Sequence, residues 1–229
     1  MAGALGLAVS GCATTPLLEK GQTGQIVEVN VTRADERMGT RNLVEDVRVK
    51  TQNAAYRYSE SGPEKILNIQ IVHAQMPNPG MAIFVTTGSS SPGADVTLTN
   101  VATQTALEPK RVFVQNFRPG GLIGAIAAAS VDAVDDERAL ASQLAENILR
   151  QVYGDKHADS VEGRVPTKTA TANYPVSYAE EKDRMKCLRL MHEYETAKLE
   201  AKNEDRYQDG PIKPVPARCA KYDGIAAAS

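Results

Sequence analysis

Residues 66–73 read ILNIQIVH, and this run constrains the fold more than any other part of the chain. Successive side chains of a strand point to opposite faces, so Leu67, Ile69 and Ile71 share one side and Asn68 and Gln70 the other. A strand with one apolar and one polar face belongs to a sheet covered on one side only. Similar runs flank it. In residues 26–32, Val27, Val29 and Val31 alternate with Glu28 and Asn30. In 43–50, Leu43, Val47 and Val49 share a phase that Glu45 interrupts, and 81–87 is a short β-rich run. In 95–101, Val96 and Leu98 oppose Thr97 and Thr99; in 111–117, Val112 and Val114 oppose Arg111 and Gln115. Turn signals at 61–63 (SGP), 77–80 (PNPG), 91–93 (SPG), 108–109 (EP) and 118–120 (RPG) punctuate these runs. The pattern predicts an α+β fold: an antiparallel sheet with one face covered by a helix, plus a C-terminal helical extension.

The covering helix is legible too. Asp135, Asp136 and Glu137 put carboxylates where a helix N-terminus favours them. Leu140, Leu144, Ile148 and Val152 follow at four-residue steps, Ala141 and Ala145 widen the stripe, and Gly154 is placed to end the helix. Before it, GGLIGAIAAASV (120–131) reads as a second helical segment, a flap or an assembly surface.

Residues 155–177 are polar, Thr-rich and aperiodic, and predict a linker. A second helix is expected over 178–207, inside a segment, 178–229, that ends in a Pro-rich tail. Its narrow stripe, Cys187, Leu190, Tyr194, Ala197 and Ala201, is set among charges of both signs, including the pairs Glu180–Arg184 and Arg189–Glu193. A stripe this narrow suits a surface or a partner, and Leu190, Tyr194, Ala197 and Ala201 are the expected partner-binding residues.

The N-terminus carries a different signal. Residues 1–11 (MAGALGLAVSG) are apolar, small and uncharged, and Val9, Ser10 and Gly11 stand directly before Cys12. This resembles the lipobox of bacterial lipoproteins. The resemblance implies a signal peptide over 1–11, acylation of Cys12, a lipidated tether over 12–23 and a periplasmic domain over 24–154. Ala13 in the place of an Asp implies the periplasmic face of the outer membrane. No Lys or Arg precedes Cys12, so the basic start of such a signal peptide is expected upstream of Met1; the alternative is an apolar N-terminus with a buried thiol. The order of elements over 22–154, with LASQLAENILRQVYG as its helix, is similar to uncharacterised small lipoproteins of Gram-negative envelopes. In an exported chain Cys187 and Cys219 are left as a pair and are expected to bridge; two free thiols are the alternative.

Chemistry is sparse. A net charge of −2 offers no field for nucleic acid, and with no Trp and 5% aromatics there is no platform for stacking bases or sugars. The chain has no G-x-S-x-G elbow, phosphate loop or H-E-x-x-H. His73 is expected at the end of a buried strand face, His157 in solvent on the linker. Met185, Cys187, Met191 and His192 are soft metal donors, but they do not share one helix face, so no metal, catalytic residue or cofactor is assigned. The expectation is a non-enzymatic structural or assembly component of an envelope complex. The alternative is a carrier or chaperone for an apolar ligand held between the sheet and the 120–131 segment.

Overall fold

In the computed structural model, residues 15–19, 22–36, 38–58, 62–75, 87–114, 116–119, 132–202 and 214–222 are described. The strands are β1 (Gln25–Arg33), β2 (Glu64–Gln75), β3 (Thr87–Asn100), β4 (Lys110–Phe113) and β5 (Asn116–Pro119). They form one sheet in the order β1-β2-β3-β4, with β5 pairing β3 beyond the end of β4. Helix α1 (Leu43–Tyr58) lies against β1, and α2 (Ala133–Tyr153) packs beside it against β3 and β4. Between sheet and helices Leu67, Ile69, Ile71, Val96 and Leu98 meet Val47, Leu140, Leu144 and Ile148, all at most 2% exposed. The opposite face is polar. Asn30 Nδ2 donates to Asn68 Oδ1 (3.5 Å) and Asn68 Nδ2 to Thr99 Oγ1 (3.1 Å), a cross-strand ladder that needs no covering layer.

The fold is α+β as expected, and its sheet is mostly antiparallel, but four local expectations change. Residues 43–50, expected as a strand, are the first turns of α1. Its buried positions Leu43, Val47, Thr51, Ala54, Ala55 and Tyr58 step by three and four, a period visible only past Lys50. A helix between β1 and β2 makes a crossover, so that pair is parallel. The alternation in β1 is broken by a bulge between Ile26 and Glu28. Ile26 and Val29 therefore face the core, while Val27 is 36% exposed. A second bulge between Ile71 and His73 turns His73 to solvent, not to the buried face.

The 91–93 turn signal lies inside β3, opposite that second bulge. Pro92 still serves the sheet there, its carbonyl accepting from Val114 N at 3.0 Å. Gly93 is required by contact: a Cβ at this position would sit 2.5 Å from Cε1 of Phe113. Of the expected run 81–87, only Thr87 is described, as the start of β3; the 120–131 segment also lies outside the described residues.

Helix α2 matches its sequence signals. The Asp132 carboxylate caps it, accepting from Val134 N (3.0 Å) and Asp135 N (3.4 Å). Gly154, at φ 87°, closes it by donating to Arg150 O at 2.8 Å. The next two carbonyls are satisfied from the N-terminal segment: Leu17 N donates to Gln151 O (2.8 Å) and Leu18 N to Val152 O (3.0 Å). Both leucines are buried in the main core. Of the segment expected to be a polar tether, residues 15–18 are thus fastened to the domain. Leu18→Ala is expected to lower stability by about 2–3 kcal/mol, the cost of truncating a buried leucine. A urea denaturation curve reads this as a lower midpoint at unchanged slope; a tether free of the domain would show no change.

Candidate functional site: the clamped C-terminal extension

The C-terminal extension is built in three pieces. A short helix α3 (Asp155–Val161) follows Gly154 directly. Residues 162–177 then run back along α1, and helix α4 (Tyr178–Lys202) follows. The 155–177 stretch, expected as a linker, is a helix and a strap. Its bonds climb α1 one turn at a time. Thr167 N donates to Tyr56 O (3.4 Å), Ala170 N to Asn53 Oδ1 (2.7 Å), Asn173 N to Glu45 Oε1 (2.5 Å) and Val176 N to Asn42 Oδ1 (3.4 Å). Arg48 Nη2 returns a bond to Thr171 O at 2.7 Å. These partners are side chains and, at Tyr56, a carbonyl of the last turn of α1, so the strap has no periodicity of its own. His157, expected in solvent, is half-buried on α3 with its ring 5.4 Å from Tyr58 and 5.5 Å from Tyr153, which stack on each other at 4.4 Å.

Where the strap meets α4, three buried carboxylates come together between the N-terminal ends of α1, α2 and α4. Asp46 of α1 accepts from Tyr174 Oη (3.2 Å) and, in a short bond, from Tyr178 Oη. Glu137 of α2 accepts from Thr40 N (2.8 Å) and, in a short bond, from Thr40 Oγ1. Glu181 of α4 accepts from Arg41 N (3.1 Å) and Nε (2.8 Å) and from Arg184 Nε (2.9 Å) and Nη2 (2.5 Å). The Arg138 guanidinium lies 4.1 Å over the Tyr178 ring.

The three acids titrate differently because their partners differ. Burial raises Asp46 despite the two tyrosine hydroxyls. Burial pushes Glu137 up to about 7; the two bonds from Thr40 oppose this, and the charges of Asp46 and Glu181 add to it. Burial also pushes Glu181 up, but the bonds and charges of Arg184 and Arg41 outweigh it and hold the carboxyl below its usual range. Each carboxyl is bonded by the chain itself, Asp46 through Oδ1 alone with Oδ2 buried and without a partner among the described residues, and the bonds of Asp46 and Glu181 fasten α4. Asp46, Asn42 and the strap were missed from sequence; the one local signal was the Tyr174/Tyr178 pair, four residues apart and edge-to-face at 4.9 Å.

The outer fastening is covalent. Cys187 of α4 is bonded to Cys219 on the 3₁₀ turn Ala217–Tyr222, and both are fully buried with Met191 and Tyr222 in a second small core. The buried stripe of α4 is Glu181, Arg184, Cys187 and Met191, rotated from the expected one. Leu190, Tyr194 and Ala197 are half-buried, Ala201 is exposed, and Leu199 is 62% exposed. Cys12 lies outside the described residues. His73, His157 and His192 stand on three different elements, and no group of three His, Cys, Asp or Glu among the described residues could hold a metal ion. No helix among the described residues is long and apolar enough to cross a membrane.

No family model matches the chain, and no curated protein matches it. Solved structures share part of it. A Caulobacter crescentus CB15 protein named as a lipoprotein is similar over 59% of this chain and 92% of its own, at 14% identity and a TM-score of 0.33. A minor lipoprotein from Acinetobacter baumannii is similar over 61% of this chain and 95% of its own, at 12% identity and a TM-score of 0.34. The PelC dodecamer from Paraburkholderia phytofirmans is similar over 57% of this chain and 92% of that one, at 10% identity and a TM-score of 0.34. Likeness at this level fixes neither function nor partner.

Glu137 gives the cluster a pH signature. Its folded pKa of about 7 stands above the unfolded 4.5, so its contribution is fully present below pH 4.5 and is lost as pH rises through 7. Glu137→Gln removes the charge and keeps both contacts to Thr40, its amide oxygen accepting from Thr40 N and its amide nitrogen donating to Thr40 Oγ1 in place of the present bond. It is expected to stabilise by about 2–3 kcal/mol at pH 8 and to change little at pH 4.5. Denaturation midpoints at the two pH values read the difference; an equal effect at both would mean that the carboxyl is not perturbed.

Proposed function

We propose that this chain is a lipid-anchored protein of the bacterial envelope, acylated at Cys12 and held at the periplasmic face of the outer membrane. It works there as a structural or assembly component, not an enzyme, and the outer part of α4 is its contact with a protein partner. The observation that carries the reading is the buried Cys187–Cys219 bond. Disulfides of this kind persist in oxidising compartments. The chain has three cysteines, so the bridge leaves Cys12, and Cys12 is the one that follows a run of small apolar residues. The partner contact is supported by exposure: along the expected stripe Leu190, Tyr194 and Ala197 are half-buried and Ala201 is open to solvent.

Two measurements test it. Mass spectrometry of the protein recovered from membranes is expected to show an acylated N-terminal peptide beginning at Cys12; an unmodified Cys12 removes the anchor. Tyr194→Asp with Ala201→Asp is expected to abolish partner retention after mild detergent extraction. Folding stability should move by only about 0.5 kcal/mol per site, since neither side chain is in a core. Unchanged retention removes the α4 contact.

A further inference from the structure

We propose that the domain rests directly on the lipid surface, the C-terminal end of α2 facing the bilayer and the inner part of α4 held away from it. The inference rests on the acylation of Cys12. The chain is immobilised very soon after that residue. Gln151 Nε2 donates to Thr15 O at 2.7 Å, the Lys110 ammonium reaches the same carbonyl at 2.5 Å, and Leu17 and Leu18 are 6% and 5% exposed on the end of α2. Thr15 stands three residues after Cys12. Fully extended, that length spans about 10 Å. The attachment therefore cannot lift the body far from the headgroups, whatever conformation residues 12–14 adopt.

The same clamp fixes which end is held. Pro16 lies against Gly154, whose Cβ, if present, would sit 3.6 Å from Pro16 Cγ; Lys65 packs near Gly24 and Leu18 at the start of β2. This end carries the close of α2 and the starts of β1, β2 and β4. Helix α2 is 21 residues long, about 30 Å. At its other end Lys182 of α4 bonds Asp132 (3.2 Å) and Asp135 (2.8 Å). A groove of about 370 Å³ lined by Lys182, Met185, Lys186 and Arg189 opens there. The groove thus lies roughly one α2 length from the anchored end.

The chain provides its own labelling chemistry. It has no Trp, and Cys12 is the one cysteine outside the bridge. The full-length chain, coupled through Cys12 to a maleimide lipid in phosphatidylcholine vesicles with nitroxide-labelled headgroups, reads height from Trp quenching. Asp155→Trp, beside Gly154, is expected to lose most of its emission, and Lys186→Trp to keep it. An unquenched Asp155→Trp, or equal quenching of both, overturns the proposal. A Gly/Ser spacer of about 20 residues after Ala13, about 25 Å in mean span, is expected to restore Asp155→Trp emission. Quenching that survives the spacer means that the body adheres without the short link, which overturns the argument from length. The state of Cys12 in cells is read separately: an unmodified thiol removes the lipid reading and this inference with it, whereas an acylated Cys12 beside an unquenched Asp155→Trp removes this inference alone.

Discussion

Helix α2 has no free end, and the rest of the molecule is arranged around that fact. A helix leaves four backbone donors and four acceptors unpaired at its termini, and burying them unsatisfied is costly. Here the first turn is closed by Asp132, which also receives Lys182 of α4. The last turn is closed by Gly154, Leu17 and Leu18. Between the ends, Leu140, Leu144, Ile148 and Val152 are at most 1% exposed against the sheet and α1. The same 21-residue rod buries the sheet face, fixes the N-terminal segment and positions the C-terminal extension.

That dependence explains what the sequence showed and what it hid. The α2 stripe, the Asp135–Glu137 carboxylates and Gly154 are local, with period and end signals in one window, so the helix was read nearly to its ends, though the capping Asp132 was not singled out. The β2 and β3 faces were legible for the same reason. Where the structure departs from the reading, the cause is non-local. The bulges at Val27 and Val72 exist only in relation to the neighbouring strand, and each moves the side chains beyond it to the other face. The helical period of α1 is masked at its start by β-branched valines and appears only toward Tyr58. The strap at 162–177 is ordered by bonds to Asn42, Glu45, Asn53 and Tyr56 more than 100 residues earlier. Leu17 and Leu18 read as part of a tether because the carbonyls that hold them lie at 151 and 152.

The carboxylates at the N-terminal ends of α1, α2 and α4 do work that apolar residues could not do in the same way. A buried ion pair is weak evidence for net stability, because desolvation offsets much of the attraction. Its geometry is directional, however. Arg41 donates to Glu181 from both backbone and side chain, so the 38–42 loop and α4 are set in one register. Glu137, which has Thr40 as its donor and no arginine among its bonded partners here, rises toward neutrality while Glu181 stays ionised. Two glutamates in one cluster thus differ by the company of a guanidinium.

At the far end the extension depends on the bridge. The second core consists of Cys187, Met191, Cys219 and Tyr222, with Leu188 and Val215 at its margin. So small a cluster buries little area against the entropy of ordering residues 214–222. Closing a loop of 32 residues covalently removes much of that entropy from the unfolded chain, about 3–4 kcal/mol in the chain-entropy account. The bridge therefore seats the 214–222 tail on α4, while the strap and the start of α4 are held independently by their bonds to Asn42, Glu45, Asn53 and Arg41.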